Sequence, residues 1–540
     1  MFGFFSFPSS HMSSSRVISL QELSEHNSEK SCWIAIDGEV FDVTKFMNLH
    51  PGGKQVILQV GGRNVTDEFY SFHRSEVLVK YREKLRVGVL DKLTDSKTVV
   101  DVYTPFAETP FLRGWKSAYC SDSVRQFRIT LREFLNKTVK PQVEGLHESG
   151  QDPPDDLYGE VARMGVIACR VGKAAMPWLR EDKLFGGISP KEFTHFHELA
   201  TIQEVYSIGS NGVSDGLGVG ATIGLPPVIY FGNSALKKRI VPEVLAGTRR
   251  ICLAVTEPGA GSDVASIQTT AKLNKEGTHY IVNGVKKWIT GGYVSDYYTT
   301  AVRTGEPGHK GISLLLIENP KSSDEGVITK HKIKTCYSAA AGTSLIVFEN
   351  VLVPKENLLG KEGGGFKLIM ANFNHERWYL SAVGSAGART CVAECYKWAM
   401  QRKAFGKRLI DQPVIRYKLA EMTAMVECLE AWLEQITFQM DSMTPMEQFE
   451  NLSPSISLLK FQMGRIGWQL ADNAAQIFGG RAVTRTGMGR IIEMFKTETK
   501  LTAITGGSEE ILADLAVRQV VSQCDKAKKS SQEAIVLSRL

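Results

Sequence analysis

The spacing of apolar residues changes three times along the chain, and each change marks a different kind of packing. From 17 to 93 short apolar runs alternate with glycine turns, the texture of a small α+β segment of short strands and helices. A polar stretch with prolines follows and reads as a linker over 94–120. From 121 to 248 helical periodicity dominates: in VRQFRITLREFLNKTV, Val124, Phe127, Leu131, Phe134 and Leu135 recur at helical spacing. Between 249 and 353 the texture turns to short β-branched and aromatic runs such as HYIVNG, ISLLLIE and TSLIVFE, which predict a β-domain. After Gly363-Gly364-Gly365 the helical period returns and persists to Gln523, with polar breaks at Asp411-Gln412-Pro413 and Thr444-Pro445. Over 354–525 this predicts a bundle of about four helices. Residues 1–16 and 526–540 carry no such period and read as a flexible N-terminus and a tail.

Composition narrows the partners. The 540 residues are 43% hydrophobic and 23% charged, an ordinary globular balance with room for several cores. A net charge of +6 is small for this length, and no run of five or more Lys or Arg is interleaved with aromatics, so nucleic acid is not an expected partner. The least charged stretch, Gly216 to Tyr230, is broken by four Gly and two Pro and is too short to span a bilayer. Nine cysteines lack a CxxC pair and read as free thiols in a reducing compartment. The Ser-rich N-terminus has Arg16 as its one firmly basic residue and makes a poor transit peptide. Ser538-Arg539-Leu540 is a basic variant of the Ser-Lys-Leu address, which makes a peroxisomal location the expectation and a mitochondrial one the alternative.

Candidate chemistry begins in the first segment. His50-Pro51-Gly52-Gly53 ends FDVTKFMNLH, and His73 follows in DEFYSFHR. Two imidazoles on opposite sides of an apolar pocket can fill both axial positions of a haem iron. Phe41, Phe46, Val56, Ile57, Phe69 and Phe72 supply apolar material, and the Pro-Gly-Gly turn lets the backbone bend beside the ligand. HPGG, GGRNVTDEF and FH, in this order, resemble the cytochrome b5 family. That resemblance implies a b-type haem held by His50 and His73, with both axial positions filled and a role in carrying single electrons.

The later motifs are AVTEPGAGSDVASIQTTA, VNGVKKWITGG, RKAFGK, QIFGG and TGGSEEI. GAGSD lacks the third glycine of a dinucleotide fingerprint and has no βαβ unit around it, which argues against a Rossmann domain. In this order and spacing the motifs resemble the acyl-CoA dehydrogenase family over roughly 121–523. The resemblance implies a helical domain, a β-barrel domain and a C-terminal four-helix bundle, with FAD between the last two. Val255, Thr256, Ser262, Trp288 and Thr290 are then expected at the flavin, together with Ser508 and Glu510. Arg402, Phe405, Gln412, Gln476 and Gly480 are expected at the adenine half, some of them from a neighbouring subunit, so a homodimer or homotetramer is implied.

Removing a proton from Cα of a thioester while a hydride leaves Cβ requires a carboxylate in a dry pocket, where burial raises its pKa. Many family members carry that glutamate in the motif corresponding to ITGGSEE, but here the matching position is Gly506. The segment after Phe366 offers another. Phe366, Ile369, Met370, Phe373, Leu380 and Val383 form an apolar stripe that Glu376 and Arg377 interrupt. NHER with a glycine in the later motif also resembles the long-chain and isovaleryl members. Glu376 is therefore assigned as base and Gly506 as the residue that leaves room for substrate. Arg377 is assigned as support for the base or the CoA moiety, and Ser262, Phe373 and Asn374 as substrate contacts. The Glu376 backbone N–H is a candidate donor to the thioester carbonyl. Glu509 and Glu510 are rival carboxylates, but at the start of a helix their charge is accounted for by the helix dipole.

The expected function is FAD-dependent formation of a 2,3-trans double bond in a fatty acyl-CoA, as in β-oxidation, with electrons passing to the fused haem and on to an acceptor protein or oxygen. Two alternatives are an oxidase or monooxygenase of the same fold fed by the haem, and a non-catalytic acyl-CoA or haem binding protein.

Overall fold

The structure is a computed structural model that describes residues 16–70, 72–73, 75–91, 104–179 and 183–537. Most of the expected N-terminal tail, the first part of the expected linker and Ser538-Arg539-Leu540 lie outside the described residues. Two compact units result: Met1–Pro105 with Cys395–Tyr417 and Ile477–Arg490, and Phe106–Glu394 with Lys418–Gln476 and Ile491–Leu540.

In the first unit, Ser31–Ile36 pairs antiparallel with Glu39–Asp42, which pairs with Arg86–Leu90. The hairpin closes through Asp37-Gly38, both at positive φ, as a two-residue turn whose twist matches its strands. Alternation along Ser31–Ile36 builds two cores. Cys32, Ile34 and Ile36 join Phe41, Val43, Met47, Ile57, Val65 and Leu78 on one face, while Trp33 and Ala35 join Ile18, Leu23 and Val40 on the other. Helices Lys54–Leu58, Thr66–Tyr70 and Ser75–Leu85 carry part of the first core. Later in the same unit a small hairpin, Lys403–Ala404 against Lys407–Arg408, presents Phe405 at its tip.

The second unit opens with helices, among them α1 (Asp122–Phe134) and α2 (His195–Tyr206). Val124, Phe127 and Leu131 are buried along α1, as their spacing predicts. Every residue of α2 is buried, including His195, His197, Glu198 and Glu204. Eight strands between Ile251 and Leu359 form one sheet. Its longest strands, His279–Ile289 and Ser344–Pro354, pair with each other toward one end, and Tyr297–Arg303 with Ile312–Glu318 lies further along. Ile328 near one end of the strand order and Leu358 at the other pack on the same cluster of Tyr298, Leu315, Ile346 and Phe348, so the sheet curls around one core.

The C-terminal part is α3 (Gly365–Gln401), α4 (Pro413–Asp441), α5 (Ser453–Phe478), α6 (Arg490–Ile504) and α7 (Glu509–Leu537). The stretch 526–537, expected as part of a tail, continues α7 instead: it lacks proline and glycine, so nothing in its backbone stops the helix. α3 is buried beyond its predicted stripe. Trp378, Tyr379 and Ala382 are sealed, and the Trp378 Nε1 donates to Thr437 Oγ1 of α4 at 2.9 Å. Among the described residues, no helix is long and apolar enough to cross a membrane.

Candidate active site and haem pocket

His50 and His73 face each other with ring centres 5.7 Å apart and planes tilted by 53°. With roughly 2 Å from each ring nitrogen to a metal and about 1 Å from that nitrogen to its ring centre, one metal held by both rings needs centres roughly 6 Å apart, which this spacing approaches. The Nδ1 of His50 lies 3.4 Å from the Gly53 carbonyl, and that of His73 lies 3.1 Å from the Phe69 carbonyl. Donation from Nδ1 fixes the tautomer and turns the Nε2 lone pair toward a metal. Burial, and then the neighbouring His50, hold the His73 imidazole below its ordinary pKa despite its backbone bond, which favours the neutral, ligating form. A Cβ on Gly52 would lie 2.8 Å from His50 Cε1, so a larger residue there would have to displace the His50 ring. Phe69 stacks on His73, and Phe41, Phe46 and Ile57 belong to the surrounding core. Val56 and Phe72, also expected in the lining, are exposed. The residues present fit a bis-histidine haem.

The AVTEP loop is fixed from beneath. The fully buried Lys286 donates its Nζ to the Val255 carbonyl at 2.9 Å and to Glu257 Oε1 at 2.7 Å. The Glu257 carboxylate also accepts the N–H groups of Gln268 and Thr269, and the Thr256 carbonyl accepts the N–H of Lys287. Burial lowers Lys286 to about 8 against the pull of Glu257, while Lys286 and these donors hold Glu257 below its usual range despite burial. This anchoring sets Val255 and Thr256 beside the strand His279–Ile289, which carries Trp288 next to its end and is followed by Thr290. Trp288 is 52% exposed at φ 65, a conformation that costs about 1–3 kcal/mol for a bulky residue and that clusters at ligand sites. An exposed flat ring held in that way fits stacking against a flavin, and Ser262 is exposed on the same loop.

In the other unit, Phe405 stands 96% exposed at its hairpin tip, and Arg402 follows α3. Arg481 is held below its ordinary pKa by burial and by the charge of Arg402, and its guanidinium stands over the Trp398 ring, 4.8 Å from the ring centre. Gly480 precedes Arg481 and Gln412 is the residue before α4, whereas Gln476, which belongs to the second unit, is exposed near the end of α5.

Glu376 lies inside α3. Its Oε2 is shut off from solvent and has no hydrogen-bond partner among the described residues. Burial raises the carboxyl to about 7, against the lowering influence of Arg377, Lys460 and His375. Arg377 makes no ion pair with it. The guanidinium Nε donates to the Gly506 carbonyl at 3.0 Å, and burial keeps its pKa below the ordinary value. Gly506 adopts φ 67. A Cβ on it would lie 2.5 Å from Leu380 Cδ1 and 4.0 Å from Glu376 Oε1. Positions 376 and 506 therefore address one spot, and Gly506 leaves it open. The Arg377 guanidinium lies 6.0 Å from the Phe373 ring, which puts Phe373 in the same cluster.

Two expectations are corrected. Asn374 is buried on another side of α3, donating to the Gln448 carbonyl at 3.4 Å, because two helical residues sit about 200° apart. The Glu376 N–H is committed to the ladder of α3, whereas the Gly506 N–H lies in the turn after α6 with no partner among the described residues. Glu509 and Glu510 open α7, with Arg465 and Lys500 each 3.8 Å from Glu509, and Glu510 is held low by its own backbone N–H and by Ser508. Sequence reading missed Lys460, Arg481 and the pair formed by His375 and Glu198, 2.7 Å apart. Lys460 had left a signal, since it occupies an apolar-stripe position of α5 among Ile456, Leu459 and Met463.

Comparison with known proteins accords with this geometry. Residues 19–91 match the cytochrome b5-like heme/steroid binding domain, and 121–248, 252–351 and 363–521 match the N-terminal, middle and C-terminal domains of acyl-CoA dehydrogenase. The acyl-CoA dehydrogenase apdG of Emericella nidulans is 37% identical over 421 residues, 77% of this chain and 95% of that one. The acyl-CoA dehydrogenase AFT10-1 of Alternaria alternata is 34% identical, covering 78% of this chain and 97% of that one. A crystal structure of a probable acyl-CoA dehydrogenase from Mycobacterium abscessus superposes with a TM-score of 0.64 at 28% identity, covering 77% of this chain and all of that one. The chain belongs to the acyl-CoA dehydrogenase family and carries a cytochrome b5-like domain ahead of it. It is an oxidoreductase whose cofactors are FAD and haem.

Proposed function

We propose that this enzyme introduces a 2,3-trans double bond into a fatty acyl-CoA with Glu376 as the base, and that the electrons leave through the fused haem domain. One observation carries the reading: a sealed, unpartnered carboxylate oxygen on Glu376, with its fellow oxygen 4.0 Å from where a Cβ on residue 506 would stand. When bound, FAD supplies the hydride acceptor and haem a one-electron carrier. Glu376 takes the Cα proton, and its pKa near 7 matches that task. The Gly506 N–H is placed to donate to the thioester carbonyl, which acidifies that proton. Arg377 holds the Gly506 carbonyl and so orients the turn. Val255, Thr256, Ser262, Trp288 and Thr290 would hold the flavin half of FAD. Arg402, Phe405, Gln412, Gln476 and Gly480 would hold its adenine half, and the exposure of Phe405 supports completion of that site by a second copy of the chain.

The test is exchange of the Cα hydrogens of an acyl-CoA in D2O, followed by NMR with anaerobically photoreduced enzyme, whose flavin cannot accept a hydride. The wild type should exchange them, and Glu376→Gln should lose about 10²–10⁴-fold in rate. Exchange at the wild-type rate in that variant would overturn the assignment.

A further inference from the structure

Lys460 is fully buried in α5, and no step described so far employs it. Its Nζ donates to the Gly507 carbonyl at 2.7 Å and to the Ala503 carbonyl at 3.2 Å. Ala503 lies in the last turn of α6, where carbonyls lack helical partners, and Gly507 lies in the turn beyond. Arg377 donates to the carbonyl between them, that of Gly506. One lysine from α5 and one arginine from α3 thus tie down three carbonyls of a segment whose two glycines have positive φ and little rigidity of their own. An ammonium would not be kept this deep for packing alone, since burying a charge without partners costs several kcal/mol and an apolar residue would fill the same space.

We propose that Lys460 is a positioning residue for dehydrogenation, locking the Gly506–Gly507 turn against Glu376 so that the Gly506 N–H and the carboxylate converge on one thioester. The inference rests on Glu376 as base. The titratable groups facing Lys460 are Arg377 and Glu376 from α3 and Glu509 from α7. Burial and Arg377 push the ammonium down to about 7 while the two carboxylates pull it up. Its charge in turn helps to hold Glu376 down, alongside Arg377 and His375.

The experiment is anaerobic flavin bleaching of the full-length holoenzyme by palmitoyl-CoA between pH 5.5 and 9, comparing wild type, Lys460→Met, Lys460→Gln and Glu376→Gln. Lys460→Met should bleach about tenfold more slowly at saturating thioester, and its half-maximal pH should rise because the carboxylate has lost a neighbouring cation. Lys460→Gln keeps a donor and should recover part of the rate, with the half-maximal pH still raised; it also serves where the methionine variant folds poorly. Wild-type rate and half-point in the lysine variants, or a slower rate with an unmoved half-point, would overturn the inference. Normal bleaching by Glu376→Gln would instead overturn the base assignment on which it rests.

Discussion

At Glu376 the balance between burial and three neighbouring cations leaves a carboxyl near 7, about the middle of the range a base needs. Two pH effects of opposite sense follow. The rate of flavin bleaching should rise with pH through a half-point near 7 as the base ionises. Because the folded pKa lies above the ordinary 4.5, the folded state holds this proton more tightly than the unfolded one, so this residue's contribution to stability falls as pH rises from about 4.5 through 7. Glu376→Gln should remove that fall, measured as a flatter dependence of Tm on pH; an unchanged slope would mean that the carboxyl is solvated. The burial of the Glu376 carboxyl was legible in the sequence because a charge broke an apolar stripe. Lys460 left the same mark, but a lysine on an apolar face also arises when its stem covers a surface patch and its head reaches water. How deep the α5 face lies is a tertiary fact, and spacing alone does not give it.

Among the elements, the turn that follows His50 shows how a motif encodes geometry. HPGG pointed to a ligand beside a sharp bend, and the structure supplies the reason for its first glycine: a Cβ on residue 52 would press to 2.8 Å from the His50 ring. Gly52→Ala should lower haem affinity about 10–100-fold, the range for disturbing what orients a metal-bound histidine, while flavin content stays constant. The ratio of Soret to flavin absorbance in purified protein measures this, and an unchanged ratio would show that the ring has room to move. Helix periodicity placed α1 and the start of α3 well. It did not reveal that α3 is enclosed around Trp378 and Tyr379, because enclosure depends on neighbours contributed by distant segments. The Glu376 N–H illustrates the same limit: a backbone donor can be assigned only when the helix that consumes it is known.

For the whole molecule, domain order was readable from changes of period, and the two cofactors from motifs in sequence. The companionship of positions 376 and 506 was not readable, since it arises only when α3 packs beside the turn after α6. On the proposed function one polypeptide carries a thioester site and a one-electron carrier, so hand-over between them should be first order in protein. The most direct measurement is anaerobic stopped-flow mixing of the full chain with acyl-CoA, reading flavin and haem at separate wavelengths over a range of protein concentrations. Flavin should bleach first and haem be reduced after it, at rates independent of protein concentration, with both lost in Glu376→Gln although dithionite still reduces its haem. Haem that stays oxidised in the wild type after the flavin has bleached, or haem reduced by acyl-CoA in Glu376→Gln, would contradict the proposed function.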